Sequence, residues 1–126
     1  MLNHIELHTS ETREIIIYNE SNVDWHIVQE KGSVLRLHVL CLSQSNTADE
    51  QWKTSIVVEQ NGKGCRTELY GMGLLYGKQQ AHIHTKVMHN VGGGYSSQLF
   101  KFVLDDQAKG SFRGELKIMP DAQQTE

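Results

Sequence analysis

Proline is nearly missing from this chain: Pro120 is the only one among 126 residues. No Pro-rich or low-complexity stretch marks a linker, and the length is that of one domain, so a single unit over residues 1–126 is expected. Cysteine is almost as scarce. Cys41 and Cys65 cannot make a zinc site alone, and their separation matches no metal or redox motif. Positive charge is not concentrated either. Twelve Lys and Arg residues are scattered through a chain of net charge −3 and pI near 6.1, which gives no reason to expect nucleic acid or an anionic membrane as partner. No apolar run approaches the roughly 18 residues a membrane span needs. The opening MLNHIELHTSE lacks the basic and then apolar regions of a secretory signal. A cytoplasmic, thiol-reduced protein is the simplest expectation.

Helical periodicity is absent beyond a turn or two, and what remains reads as strand. Residues 112–118 (FRGELKI) alternate Phe112, Gly114, Leu116 and Ile118 with Arg113, Glu115 and Lys117, the period of a half-buried strand. Residues 4–8 alternate in the same way, with Ile5 and Leu7 inward. Residues 13–18, 33–43 and 55–59 are rich in β-branched and aliphatic side chains. Residues 60–64 (QNGKG) read as a turn, and residues 46–52 (NTADEQW) as a short capped helix or a polar loop.

The second half has a rhythm. Strand-like segments centre near Leu69, His84, Leu99 and Phe112, at intervals of roughly 13 to 15 residues, with Gly or polar residues between. Stacked coils of a β-solenoid, or successive strands of a sandwich or barrel, would both produce it. Small residues at strand positions (Gly71, Gly73, Gly114) favour close stacking around a narrow interior. Consecutive apolar residues in VLCL and LFKFVL imply that both faces of some strands are partly covered.

Three of the seven histidines fall in AHIHTKVMHN. His82 and His84 share one strand face and could both reach one metal ion, as in a cupin jelly roll. The position where a cupin glutamate would stand is filled by Val87, Met88 or His89, however, and no histidine follows His89. His89 has the opposite parity. The competing reading makes His84 and His89 hydrogen-bonded structural residues, with His82 exposed or pairing a neighbouring strand.

Other motifs resolve into structure. Residues 92–94 (GGG) lack the Gly-Lys-Ser/Thr and helix of a phosphate loop and read as a turn. Asp105 and Asp106 fit a strand running into a polar turn. No nucleophile elbow or Ser-His-Asp order is present, so no catalytic residue is assigned. Cys41 lies in an apolar run and reads as an inert buried thiol. Cys65 beside Lys63 and Arg66 reads as a strand-edge core cysteine.

From residue 67 onward the chain resembles the SufB/SufD family of iron–sulfur cluster assembly proteins. His84, Thr85, His89, Ser97, Lys101, Val103, Leu104, Phe112, Gly114, Pro120, Asp121, Ala122 and Thr125 fall in the order of that family's core motif, and TELYGMGLLYG matches the strand before it. The details look closer to SufD. Gln124, Glu126 and Phe102 depart from the pattern. The resemblance implies a right-handed parallel β-helix, truncated relative to a family core that continues through a Cys-x-His-Gly coil and a helical domain that binds SufC. It implies a scaffold rather than an enzyme, with SufB-like and SufC-like partners. No cofactor is implied for this chain alone, the cluster being handled by the assembled complex. An open solenoid end implies self-association in isolation. The alternatives are a cupin-like metal-binding protein using His82 and His84, or a carbohydrate-binding solenoid, against which the sparse, scattered aromatics argue.

Overall fold

A computed structural model describes residues 2–20, 22–42 and 51–120. Nine strands follow one another: β1 (Leu2–Leu7), β2 (Thr12–Tyr18), β3 (Val23–Gln29), β4 (Val34–Leu42), β5 (Gln51–Gln60), β6 (Arg66–Leu75), β7 (Gln80–His89), β8 (Tyr95–Leu104) and β9 (Lys109–Ile118). Odd strands form one sheet in the order β1-β3-β5-β7-β9, and even strands form a second, β2-β4-β6-β8. Every pairing is parallel. The chain therefore climbs as a two-sheet parallel β-solenoid, each coil contributing one strand to each sheet. A jelly roll, which is antiparallel, is excluded, and with it the cupin architecture as a frame for His82 and His84.

The rhythm of the sequence is half of one coil. His82 lies beside Ser111, 29 residues on, and Lys53 beside His82 by the same step. The first coil is tighter, with His4 beside His26 at a step of 22. One corner repeats in every coil: Ser10, Gly32, Gly64 and Gly93 all adopt positive φ (61°, 69°, 71° and 81°) and stand two residues before the aligned strands β2, β4, β6 and β8. Three of these four positions carry glycine, for which this backbone costs least. Both QNGKG and VGGG are thus successive copies of one turn.

Between the sheets run aligned columns of apolar side chains, including Ile5, Ile27, Val58 and Val87 from one sheet and Ile17 and Val39 from the other. Each fully buried aliphatic contributes roughly 1.5–3 kcal/mol. The column begun by Ile17 and Val39 continues through Gly71 to Phe100. Glycine is required there for space: a Cβ on Gly71 would lie 2.0 Å from Phe100 Cδ2, and one on Gly73 would lie 2.4 Å from Phe102 Cδ1. Phe100 in turn stacks on Phe112, with ring centroids 4.1 Å apart. The small residues are thus the lower half of a small-on-large fit between coils.

Two expectations need correction. Gln51 and Trp52 open β5, and Trp52 is buried; residues 46–50 of the helix-or-loop reading lie outside the described residues. In β9, Phe112, Leu116 and Ile118 do share a face, but they remain 38%, 52% and 40% exposed rather than enclosed like the inward residues of β7, because among the described residues β9 is the last strand of its sheet and pairs only with β7. Among the described residues no helix is long and apolar enough to cross a membrane.

Candidate functional site

Strand alternation sends His82 and His84 to the outer face of the five-stranded sheet and His89 to the interior. Outward neighbours stack across strands, so Lys53, His82 and Ser111 form one row and Ser55, His84 and Arg113 the next. These rows, with Asp24 at one side, line an open groove of about 460 Å³. The histidines share the groove but not a partner. His82 sits between Ser111 Oγ, 2.6 Å from Nδ1, and Gln80 Oε1, 3.2 Å from Nε2. The Gln80 amide oxygen can only accept, so Nε2 donates to it, while the Ser111 hydroxyl can donate to or accept from Nδ1. His84 Nε2 lies 3.1 Å from Glu115 Oε2, and Arg113 donates to the other carboxylate oxygen. The bond from His84 holds the Glu115 carboxyl below its usual pKa, with Arg113 assisting. Among the described residues, no set of three or more His, Cys, Asp or Glu side chains is gathered so as to hold a metal ion.

The family-motif positions separate by parity. Thr85 points inward and donates to Gln98 Oε1. His89, fully buried, bonds Ser96 through Nε2 at 2.9 Å, and burial lowers its pKa below the usual histidine value. His84, read with His89 as a hydrogen-bonded structural residue, lies on the opposite face from it, at the surface, with Glu115 as its partner. Lys101 points outward, Phe112 and Gly114 face inward, and Pro120 ends the described residues. Asp121, Ala122 and Thr125 lie outside them.

A buried polar ladder surrounds His89. Register stacks Gln29, Gln60 and His89 at one end of the sheet. Thr67, from the facing sheet, donates to Gln29 Oε1 and accepts from Gln60 Nε2 at 2.8 Å. Gln60 also donates to the Tyr95 carbonyl at 3.0 Å. Side chains from two coils and a main-chain carbonyl from a third are thereby tied in the interior, where unpaired polar groups would each cost about 1–3 kcal/mol. Cys65 is buried nearby with its Sγ 3.1 Å from the carbonyls of Glu30 and Gly62, and Cys41 is buried among aliphatics. Both behave as the core thiols their contexts imply.

The outer face of the four-stranded sheet is divided. One half is polar: Glu68 accepts from Arg36 Nε, Arg66 Nε and the Tyr70 hydroxyl at 3.2, 3.1 and 2.7 Å. The Tyr70 bond chiefly lowers the Glu68 pKa and raises that of Tyr70. The other half is apolar. Ile16, Tyr18, Met72, Leu74, Leu99 and Val103 are 41–62% exposed in adjoining rows on β2, β6 and β8, with Leu40 and Leu42 between them on β4. Single exposed apolar residues need no explanation, but a cluster of this size, interrupted within its rows by His38 and Lys101, marks an interaction surface. The sequence signal was present in VLCL and LFKFVL, where apolar residues occupy both parities.

The solenoid defines a class of coiled all-β proteins, and comparison narrows it. The model of the SUF-system FeS cluster assembly family, SufBD core domain, matches residues 4–126, nearly the whole chain. The chain belongs to that family. No curated protein and no solved structure matches.

Proposed function

We propose that this chain serves as a scaffold subunit of an iron–sulfur cluster assembly complex of the SUF type, SufD-like in role. It acts by associating with a SufB-like subunit rather than by catalysing a step itself. The single observation that carries this reading is the apolar stripe on β2, β4, β6 and β8, presented by a solenoid of the SufBD core family. Six side chains fixed on a paired sheet offer an interface that needs little ordering on binding, which favours association. The SufC-like ATPase joins through the assembled complex, and the nascent cluster is the cargo of that complex. In isolation the same stripe drives self-association, and the cytoplasm is the compartment that suits its free thiols.

Co-expression with a tagged SufB-like subunit tests the reading. The chain should co-purify in stoichiometric amount, and Leu99→Glu, which places a charge in the stripe without touching the interior, should abolish recovery. Recovery unaffected by Leu99→Glu and Met72→Glu together would overturn the stripe as the contact. No recovery of the wild-type chain would overturn the scaffold role.

A further inference from the structure

The parallel register of β1 and β3 sets His4 directly beside His26 on the outer face of the five-stranded sheet, away from the His82 groove. The two rings present Nδ1 to each other at 3.1 Å. Their opposite nitrogens face carboxylates: His26 Nε2 is 2.5 Å from Glu59 Oε2, and His4 Nε2 is 3.6 Å from Glu6 Oε1. His26, bonded to Glu59 through Nε2, keeps its proton there and leaves Nδ1 as a bare lone pair, whereas the 3.6 Å contact of His4 with Glu6 is too long for a hydrogen bond and leaves the His4 tautomer open. The His26 lone pair faces His4 Nδ1 at 3.1 Å, a separation that either the His4 ring proton or a cation held by both nitrogens can bridge.

We propose that His4 and His26 form a binding site for one divalent transition-metal ion of the zinc, nickel and copper class, each ligating through Nδ1. With metal–nitrogen bonds of about 2.0–2.1 Å, nitrogens 3.1 Å apart subtend about 100° at the ion, between the tetrahedral and right-angle values. Rings converging on such a point would have centroids about 5 Å apart; the observed separation is 4.9 Å, with the planes inclined at 54°. A straight N–H···N bond would hold the centroids farther apart. Glu59 behind His26 completes the carboxylate–histidine–metal arrangement that orients ligating imidazoles. The side chains of His4 and His26 are 50% and 33% exposed, so water reaches the remaining coordination positions. Only two protein ligands take part, in keeping with the lack of any cluster of three among the described residues. The site is therefore exchangeable, with copper held tightest. His38 with Glu14 and His84 with Glu115 also form histidine–carboxylate pairs, but each of these bonds joins a single imidazole to a carboxylate, with no second imidazole among the described residues presented to it as His4 is to His26. The site does not depend on the scaffold reading.

The test uses the whole chain, stripped of metal by a chelator and titrated with Zn²⁺ and separately Cu²⁺ by calorimetry. Long-range ¹H–¹⁵N spectra of the imidazoles are recorded before and after. One ion per chain should bind, and the Nδ1 resonances of His4 and His26 should be the ones that move. His4→Gln and His26→Gln, both surface changes whose folding is checked by circular dichroism, should each weaken binding at least tenfold. Glu59→Gln should weaken it about 10- to 100-fold. His38→Gln, on the opposite sheet, should leave it unchanged. The proposal falls if the wild-type chain binds neither ion and the rings instead share a proton. It falls equally if binding survives loss of His4 or His26, or follows His82 and His84 instead.

Discussion

Gly71→Ala is the substitution that most sharply tests how the coils fit. The added Cβ would meet Phe100 at 2.0 Å from Cδ2 and 2.3 Å from Cε2, so the ring must swing away. In doing so it leaves its stack on Phe112. Overpacking of this kind costs about 1–3 kcal/mol, and the lost aromatic pair accounts for about 0.5–1.5 kcal/mol of it. A total near 2 kcal/mol should lower the urea midpoint by about 1 M, given a slope of about 2 kcal/mol/M. The physical cause is checked by repeating the change in a Phe100→Ala background. There the obstacle is gone, and alanine should be neutral or should gain about 0.4–1 kcal/mol by restricting the unfolded chain. The coupling between the two sites should therefore be at least 1 kcal/mol. Equal costs in both backgrounds, or a neutral Gly71→Ala in the wild type, would refute the small-on-large account of the interior.

Two further outcomes follow from buried groups. The His89 pKa is lowered by burial in the folded chain, so below pH 6.5 the unfolded chain binds a proton that the folded one refuses. Stability should fall with decreasing pH at up to about 1.4 kcal/mol per unit until the folded pKa is reached. His89→Gln should flatten that dependence in denaturation curves recorded between pH 5 and 7; an unchanged slope would remove His89 as its source. The Cys41 thiol is pushed up to about 11 by burial, so at pH 8 it should react with a disulfide reagent only at the rate of unfolding. Fast native-state labelling of Cys41 would contradict its place in the core.

How much of this was legible beforehand depended on where the information lies. The 13-to-15-residue rhythm, the QNGKG and VGGG turns and the small residues at 71 and 73 are local features, and all were readable. Strand β3 was not singled out. Its inward set, Val23, Trp25, Ile27 and Gln29, ends in a polar residue, and its outward set includes Val28, so the alternation is blurred. Gln29 can be buried only because Thr67, in another coil, supplies a partner. The choice between solenoid and sandwich likewise rests on which strands pair, and the alternation of a single strand does not encode that. The same reason hid the His4–His26 pair. The two residues are 22 apart in sequence and become neighbours only through the register of β1 and β3. Parity alone placed His82, His84 and His89 on their faces, but it could not show that Glu115 would hold His84 at the surface.

The central claim is that the apolar stripe is the surface through which this solenoid meets a SufB-like subunit. Methyl NMR of the ¹³C-labelled chain, titrated with that unlabelled subunit, tests it most directly. The account predicts that the methyl signals of Ile16, Met72, Leu74, Leu99 and Val103 shift or broaden together, while interior Ile27, Val58 and Val87 stay in place. Perturbation confined to Val28, Val57 and Met88 on the outer face of the opposite sheet, or no perturbation at all, would contradict it.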